Sequence, residues 1–195
     1  MKKIISLVLA GVMVLGLAAC GTEKPVETTP VETEAPAVSV ESALAILENI
    51  WALYGEDEQF AVIGGNMESP VDGAPGNYDM AYAENLTWNL LIPEDQLANV
   101  DEAATMIHMM NANTFTAGVV KLADGVDVAA FAATMHDALV NNHWMCGMPE
   151  YMVIADMGGN YLLVAFGVND AMTPFQAHMA EAYADVTPLY SESMV

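Results

Sequence analysis

One short stretch of the sequence gathers side chains that could bind a soft metal ion. Residues 143–148 read His-Trp-Met-Cys-Gly-Met and offer one imidazole, one thiol and two thioethers, from His143, Cys146, Met145 and Met148. Thiolate and thioether ligands select Cu(I) among the biological metal ions. Alternate side chains of an extended segment point in opposite directions, so a three-ligand site requires the loop to fold back. Copper(I) binding is therefore one hypothesis for this stretch.

A structural role for the same stretch is the competing interpretation. Trp144 and Cys146 would then pack into the core, while His143 would stay exposed. Further donors lie upstream, in a segment for which we predict a helix: Met106, His108 and Met109. Cys20 and Cys146 are the two cysteines of the chain, so modification of Cys20 would leave Cys146 without an intrachain disulfide partner.

Sequence patterns typical of catalysis are absent from the chain, apart from its many carboxylates. No serine lies in a G-x-S-x-G sequence, and there is neither a glycine-rich phosphate loop with lysine nor any arginine. Hydrolysis of glycosidic bonds needs only two placed carboxylates, and the chain has 26 acidic residues. We therefore predict a noncatalytic protein, with an envelope hydrolase that uses paired carboxylates as an alternative.

The first twenty residues predict where the protein resides. Two lysines precede an apolar run over residues 4–17 that is too short to cross a bilayer as a mature helix. The sequence Leu-Ala-Ala-Cys over residues 17–20 resembles the lipobox of bacterial lipoproteins, whose cysteine is acylated and becomes the first mature residue. This resemblance implies that residues 1–19 are a signal peptide. It also implies that acyl chains such as palmitate on Cys20 anchor the protein, extracytoplasmically, to the outer face of a bacterial membrane.

A flexible tether is expected between this anchor and the folded part of the protein. Residues 20–40 are rich in Thr, Glu, Val and Pro, and three prolines favour extended backbone in the residues before them. Such a segment has too little apolar surface to form a core, so we predict that it is disordered. Residues 41–195 remain as one acidic domain, because about 155 residues are typical of a single domain.

The charge of the chain restricts its partners. It contains 26 acidic residues and four lysines, for a formal net charge of −22. Removal of residues 1–19 would take away two lysines and leave −24, since every acidic residue follows Cys20. Nucleic acids and anionic lipid headgroups are bound through Lys and Arg, so we expect neither as a partner. The expected membrane contact therefore depends on the lipid anchor.

Hydrophobic periodicity and cap residues predict the secondary structure of the domain. Three helices with apolar faces are predicted over residues 44–54, 99–111 and 128–139, and a fourth has Pro174 in its first turn and ends before Pro188. Strands are predicted over residues 60–63, 114–122, 151–155 and 161–168, the last two forming a hairpin around Gly158-Gly159-Asn160. The run 86–92 is too short for periodicity to distinguish strand from helix.

These elements predict an α+β fold. After one or two leading helices, the order is strand, helix, strand, strand, helix, which favours a mostly antiparallel sheet. We expect the helices to pack on one face of that sheet, with the signal peptide and the disordered tether preceding it.

A looser pattern runs through residues 85–185. A Val-rich strand carries Lys121 at its end, Trp144 precedes Pro149-Glu150, and Gly159 stands two residues before Tyr161. This pattern, together with the lipobox and tether, resembles a family of small bacterial lipoproteins that each carry one α+β domain of unknown function. The present chain departs from that family in having fewer Lys and Arg residues. The resemblance implies location and fold, and it carries over no functional residues.

The sequence as a whole favours a noncatalytic binding or accessory module presented at the cell surface on a flexible tether. Its partner would be an unidentified envelope protein or a small ligand. No cofactor is expected unless the copper(I) hypothesis for residues 143–148 holds.

Overall fold

The structure, a computed structural model, describes residues 42–195. The expected signal peptide, Cys20 and the expected tether lie outside the described residues, so their assignment stays a prediction. Within residues 42–195, no helix has the length and hydropathy that a membrane span requires.

An antiparallel sheet of eight strands is the centre of the fold. The strands are Val62–Gly64 (β1), Val71–Asp72 (β2), Gly76–Asn77 (β3), Val100–His108 (β4), Phe115–Leu122 (β5), Tyr151–Gly158 (β6), Tyr161–Gly167 (β7) and Tyr190–Ser193 (β8). Their order in the sheet is β2-β1-β4-β5-β7-β6-β8, with β3 paired to β4 next to β1. The helices are Ala43–Trp51 (α1), Leu86–Asn89 (α2), Val128–Val140 (α3) and Asn169–Ala182 (α4). The predicted α+β class and antiparallel sheet are confirmed.

The helices cover both faces of the sheet, which corrects the expectation that they pack on one face. On the first face, α1 and α4 pack against side chains of the central strands that include Met106, Ala117, Val153 and Leu163. On the second face, α2 and α3 pack against another set that includes Val120, Ile154, Leu162 and Phe166. The central strands are therefore buried on both sides.

The connections between strands explain why both faces are covered. α3 joins β5 to β6 and α4 joins β7 to β8, and each connection links parallel strands across one intervening strand. Both connections step in the same direction across the sheet, whereas β5 and β7 run in opposite directions. Crossovers between parallel strands almost always have the same hand. Two crossovers of one hand in this arrangement must lie on opposite faces.

The helix predicted over residues 99–111 is wrong, because residues 100–108 form β4. Both faces of this strand are buried over much of its length, so it lacks the polar alternation that identifies a half-buried strand. Its Ala, Glu and Met residues are also good helix formers. Asn99 ends a 3₁₀ turn over Glu94–Asn99 and caps no helix.

Most other predicted elements are confirmed, with changes at their ends. Asp127 caps α3, since its Oδ1 accepts the N–H of Ala130 at 3.0 Å. β6 and β7 form the expected hairpin. α4 begins at Asn169, so the expectation that Pro174 lies in its first turn is wrong. The ambiguous run 86–92 contains the short helix α2, and β2, β3 and β8 were not predicted.

Candidate functional site

Trp88 on α2 is the centre of the candidate site. Its side chain is 83% exposed, although burial of a tryptophan would remove a large apolar area from water. Three clefts of about 570, 240 and 320 Å³ adjoin Trp88, which lines each of them. Met67 and Met145, each 92% exposed, line two of these clefts with Trp88, and adjoining exposed apolar side chains are typical of interaction sites.

The opposite side of α2 is anchored in the core. Leu86 and Leu90 are fully buried on the second face of the sheet. A Cβ atom at Gly118 of β5 would lie 2.4 Å from Cδ2 of Leu90, so the missing side chain at Gly118 lets Leu90 approach the strand. Trp88, on the other side of the helix, is therefore presented to solvent from a fixed support.

Leu91 follows this helix in an unfavourable backbone conformation. Its φ is +59°, in the left-handed region that bulky residues rarely adopt. Leu91 lines two of the three clefts beside Trp88. Backbone strain of this kind concentrates at ligand-binding and active sites.

The smallest cleft, named here the amide cleft, has no charged side chain in its lining. It is formed by Asn66, Met67, Tyr78, Asn85, Trp88 and Asn89. Asn85, Trp88 and Asn89 are spaced at i, i+3 and i+4, which places them on one helical face. The side chain of Asn85 makes no capping hydrogen bond to α2. An aromatic ring and two amides therefore share one side of this cleft.

Tyr78 lines the amide cleft and has an unpaired polar group. Its side chain is 4% exposed, and its buried hydroxyl has no hydrogen-bond partner among the described residues. Burial, reinforced by the carboxylates of Glu68 and Glu84, raises the pKa of Tyr78 to about 12. The hydroxyl therefore stays protonated at neutral pH and keeps its unpaired proton.

The second cleft, named here the loop cleft, contains three of the predicted metal ligands. His143, Met145 and Cys146 line it together with Trp88, Asn111 and Asn142. Met148 is exposed but does not belong to this lining. The structure thus brings three of the four candidates to one cleft.

The loop that carries these residues does fold back. Asn111 Nδ2 donates to the carbonyl of Cys146 at 3.1 Å, and Asn113 Nδ2 donates to the carbonyl of Gly147 at 2.6 Å. Gly147 has a φ of +103°, which favours glycine. The turn between β4 and β5 therefore holds the loop in a bent conformation.

The structural interpretation of this loop is confirmed in part. Trp144 packs on Phe166, with ring centroids 5.4 Å apart, and its buried Nε1 has no partner within residues 42–195. His143 is exposed as expected, whereas the expectation that Cys146 packs into the core is wrong, because Cys146 is exposed. Of the upstream candidate metal ligands, Met106 belongs to β4 and is buried on the first face of the sheet.

No three His, Cys, Asp or Glu side chains within residues 42–195 cluster in a way that could hold a metal ion. A copper(I) site in the loop cleft would therefore depend on thioether ligands, for which Met145 is placed and Met148 is not.

The largest of the three clefts beside Trp88 has carboxylates in its lining. Glu84 and Glu94 line it with Trp88, Thr87, Pro93 and Leu97. If the protein were a hydrolase that uses paired carboxylates, Glu84 and Glu94 would be the candidate pair in this cleft.

Sequence reasoning did not identify Trp88 as part of a site. The available signal was the spacing of Asn85, Trp88 and Asn89, which places two amides beside an aromatic ring if the segment is helical.

Comparison with known proteins gives no match, whether with family models, curated proteins or solved structures. The site is therefore interpreted from its own chemistry, and the resemblance to small bacterial lipoproteins stays a prediction.

Proposed function

We propose that this protein is a noncatalytic binding module, held at the outer face of a bacterial membrane by acylated Cys20, and that it binds its ligand around Trp88. The observation that carries the binding role is the exposed Trp88 side chain beside three clefts, on a helix anchored by Leu86 and Leu90. Ligand sites are usually preformed concave surfaces with a few convergent polar groups. The surface around Trp88 has both properties.

The lipid anchor is supported by the sequence Leu-Ala-Ala-Cys at residues 17–20. Cys20→Ser should move the protein from the membrane fraction to the soluble fraction, because no acyl chain could then be attached. Cys146→Ser is the matched control and should stay with the membranes. Membrane association of the Cys20→Ser protein equal to that of the wild type would refute the anchor.

The binding role is tested with the full chain immobilised and exposed to envelope extract. A component retained by the wild type should be lost with Trp88→Ala. Met110→Ala is the control, because Met110 is 84% exposed but lines none of the three clefts. Identical retention by the Trp88→Ala protein and the wild type would argue against this surface as the binding site.

Copper(I) binding is the second candidate, favoured by the three potential ligands that line the loop cleft. In competition with a Cu(I) chelator under reducing conditions, the wild type should retain the ion, and Cys146→Ala or Met145→Leu should release it. Met148→Leu is the control and should behave as the wild type. Failure of the wild type to compete with the chelator would remove this candidate.

A further inference from the structure

We infer that the surface around Trp88 binds a neutral oligosaccharide. This inference rests on the proposed binding function and names the chemical class of its ligand.

The exposed ring of Trp88 matches one property of sugars. A pyranose ring has a face of C–H groups that packs against the flat face of an aromatic side chain, while its hydroxyl groups point outward around the rim. Tryptophan offers the largest such face and loses little conformational entropy when it is covered. The backbone of Trp88 is already held in place by the buried Leu86 and Leu90, so a ligand has only the two side-chain torsions of Trp88 to fix.

The amide cleft matches the hydroxyl groups. An amide side chain both donates and accepts hydrogen bonds, as a sugar hydroxyl does. Asn85 and Asn89 lie on the same helical face as Trp88 and line the cleft with it. A sugar ring stacked on Trp88 would thus have its rim beside these two amides.

Two residues that line clefts together with Trp88 each have a buried donor without a partner. Tyr78, whose hydroxyl has no partner, lines the amide cleft, and Trp144, whose Nε1 has no partner, lines the loop cleft. A buried donor without an acceptor is costly, so such groups usually have a partner. A ligand whose entry displaces the side chains that cover these two donors would supply the missing acceptors through its hydroxyl oxygens. Because Tyr78 and Trp144 line different clefts, a ligand of several rings fits better than a single sugar.

The charge of the surface selects against acidic ligands. Residues 42–195 contain 21 acidic residues and one lysine or arginine, Lys121 in β5, which leaves a formal net charge of −20 with the histidines neutral. Glu68 and Glu84 are close enough to Tyr78 to raise its pKa. A uronic or sialic acid would meet this negative potential without a lysine or arginine in the lining of the three clefts to pair with. A cationic ligand would be attracted to Glu84 and Glu94 in the cleft of about 570 Å³, whereas the amide cleft has no carboxylate in its lining to bind it.

The test uses the full chain, purified in a detergent whose headgroup is not a sugar. Oligosaccharides of glucose, mannose, galactose and N-acetylglucosamine are titrated by calorimetry, beside oligomers of galacturonic acid and the polyamine spermine. At least one neutral series should bind, with an affinity that increases with chain length, and the galacturonic acid oligomers should not.

Variants then locate the binding. Trp88→Ala should abolish it, and Tyr78→Phe should weaken it by about five- to tenfold, because only one hydrogen bond is lost. Tyr54→Phe is the matched control: Tyr54 also has a buried, unpaired hydroxyl and a raised pKa, but it lies on the first face of the sheet. The affinity of the Tyr54→Phe protein for the neutral oligosaccharide should equal that of the wild type.

Absence of binding by every neutral series, binding of spermine alone, or binding that survives in Trp88→Ala would overturn the inference. If an envelope component is still retained in a Trp88-dependent manner and contains no carbohydrate, the ligand class is wrong while the binding function stands. If a neutral oligosaccharide binds and is cleaved, and Glu84→Gln abolishes cleavage, the ligand class stands while the noncatalytic function is wrong.

Discussion

Gly64 and Gly76 let two backbone segments touch where no side chain would fit. A Cβ atom at Gly64 would lie 2.2 Å from the backbone nitrogen of Gly76 and 2.4 Å from the carbonyl carbon of Pro75. Both neighbours are backbone atoms and cannot rotate away as a flexible side chain could. The contact allows β1 and β3 to pair side by side with the same edge of β4.

Gly64→Ala should therefore lower the free energy of unfolding by about 1–3 kcal/mol or more, as overpacked substitutions do. Urea denaturation measures the change. Gly55→Ala is the control, because the nearest atom to a Cβ there is Oε2 of Glu58 at 3.6 Å, an ordinary contact. Equal midpoints for the two variants would contradict the steric argument.

Gly118 and Leu90 form a second close pair, in which one partner is a side chain. Gly118→Ala should cost about 1–3 kcal/mol by overpacking, and Leu90→Ala about 2–5 kcal/mol by opening a cavity. In the double variant the new methyl group occupies part of that cavity, so its cost should be less than the sum of the single costs. A double-mutant cycle by urea denaturation measures these losses in the free energy of unfolding. If the loss in the double variant equals the sum of the single losses, Leu90 does not pack against Gly118.

At the scale of elements, amphipathic segments could be predicted from the sequence and doubly buried ones could not. The helix α3 has an apolar stripe and a cap at Asp127, and both signals are local. The strand β4 has neither, because its two faces pack against different layers of helices. Tyr190–Ser193 was missed as β8 because its mostly polar, exposed residues pair only with β6, and that pairing depends on residues far away in the sequence.

The candidate site was predicted only in part, for a related reason. The residue types at 143–146 were visible in the sequence, but the bend that brings them to one cleft is held by Asn111 and Asn113, more than thirty residues away. Trp88 looks like a core residue in the sequence. Its exposure results from Leu86 and Leu90 taking the buried side of a helix of only four residues.

His136 connects α3 to the edge strand β8. Its Nε2 lies 2.8 Å from Oε1 of Glu192, its Nδ1 lies 3.3 Å from Oδ1 of Asp137, and its ring stacks on Tyr190 with centroids 4.3 Å apart. Burial alone lowers the pKa of His136, but the hydrogen bonds to Glu192 and Asp137 outweigh it, so the net pKa is raised above 6.5. The protonated form is the one that stabilises this contact.

The stability contributed by His136 should therefore be fully present below about pH 6.5 and be lost as the pH rises through its raised pKa. Glu192→Gln should remove most of this dependence. The free energy of unfolding of the wild type should exceed that of Glu192→Gln at about pH 6. We expect this excess to fall by less than about 1 kcal/mol between about pH 6 and pH 8, since Glu192 is 48% exposed. Urea denaturation at several pH values measures it, and a difference that grows with pH would contradict the assignment.

At the scale of the whole molecule, repulsion between carboxylates opposes folding. The full chain has a formal net charge of −22, and its sequence pI is about 4.1. At a salt concentration of 0.1 M, repulsion between exposed charges more than about 10 Å apart is largely screened.

Raising NaCl from about 0.01 M to about 0.5 M at pH 7 should stabilise the protein by about 1 kcal/mol and raise Tm by about 2–4 °C. Thermal unfolding measured at pH 4 is the control, because the net charge is then near zero and the effect of salt should disappear. A rise in Tm that is as large at pH 4 as at pH 7 would point to a cause other than screening.

The position of Lys121 determines where trypsin can cleave the folded part of the protein. Lys121 is the one lysine or arginine in residues 42–195, and it lies in β5, paired with Glu102 of β4 on one side and Tyr161 of β7 on the other. Trypsin therefore has a single cleavage site in this region, between the last two residues of a central strand of the sheet. Local fraying of loops or of β8 would leave that peptide bond protected. The rate of tryptic cleavage at Lys121 should thus report the opening of the whole sheet, without any label.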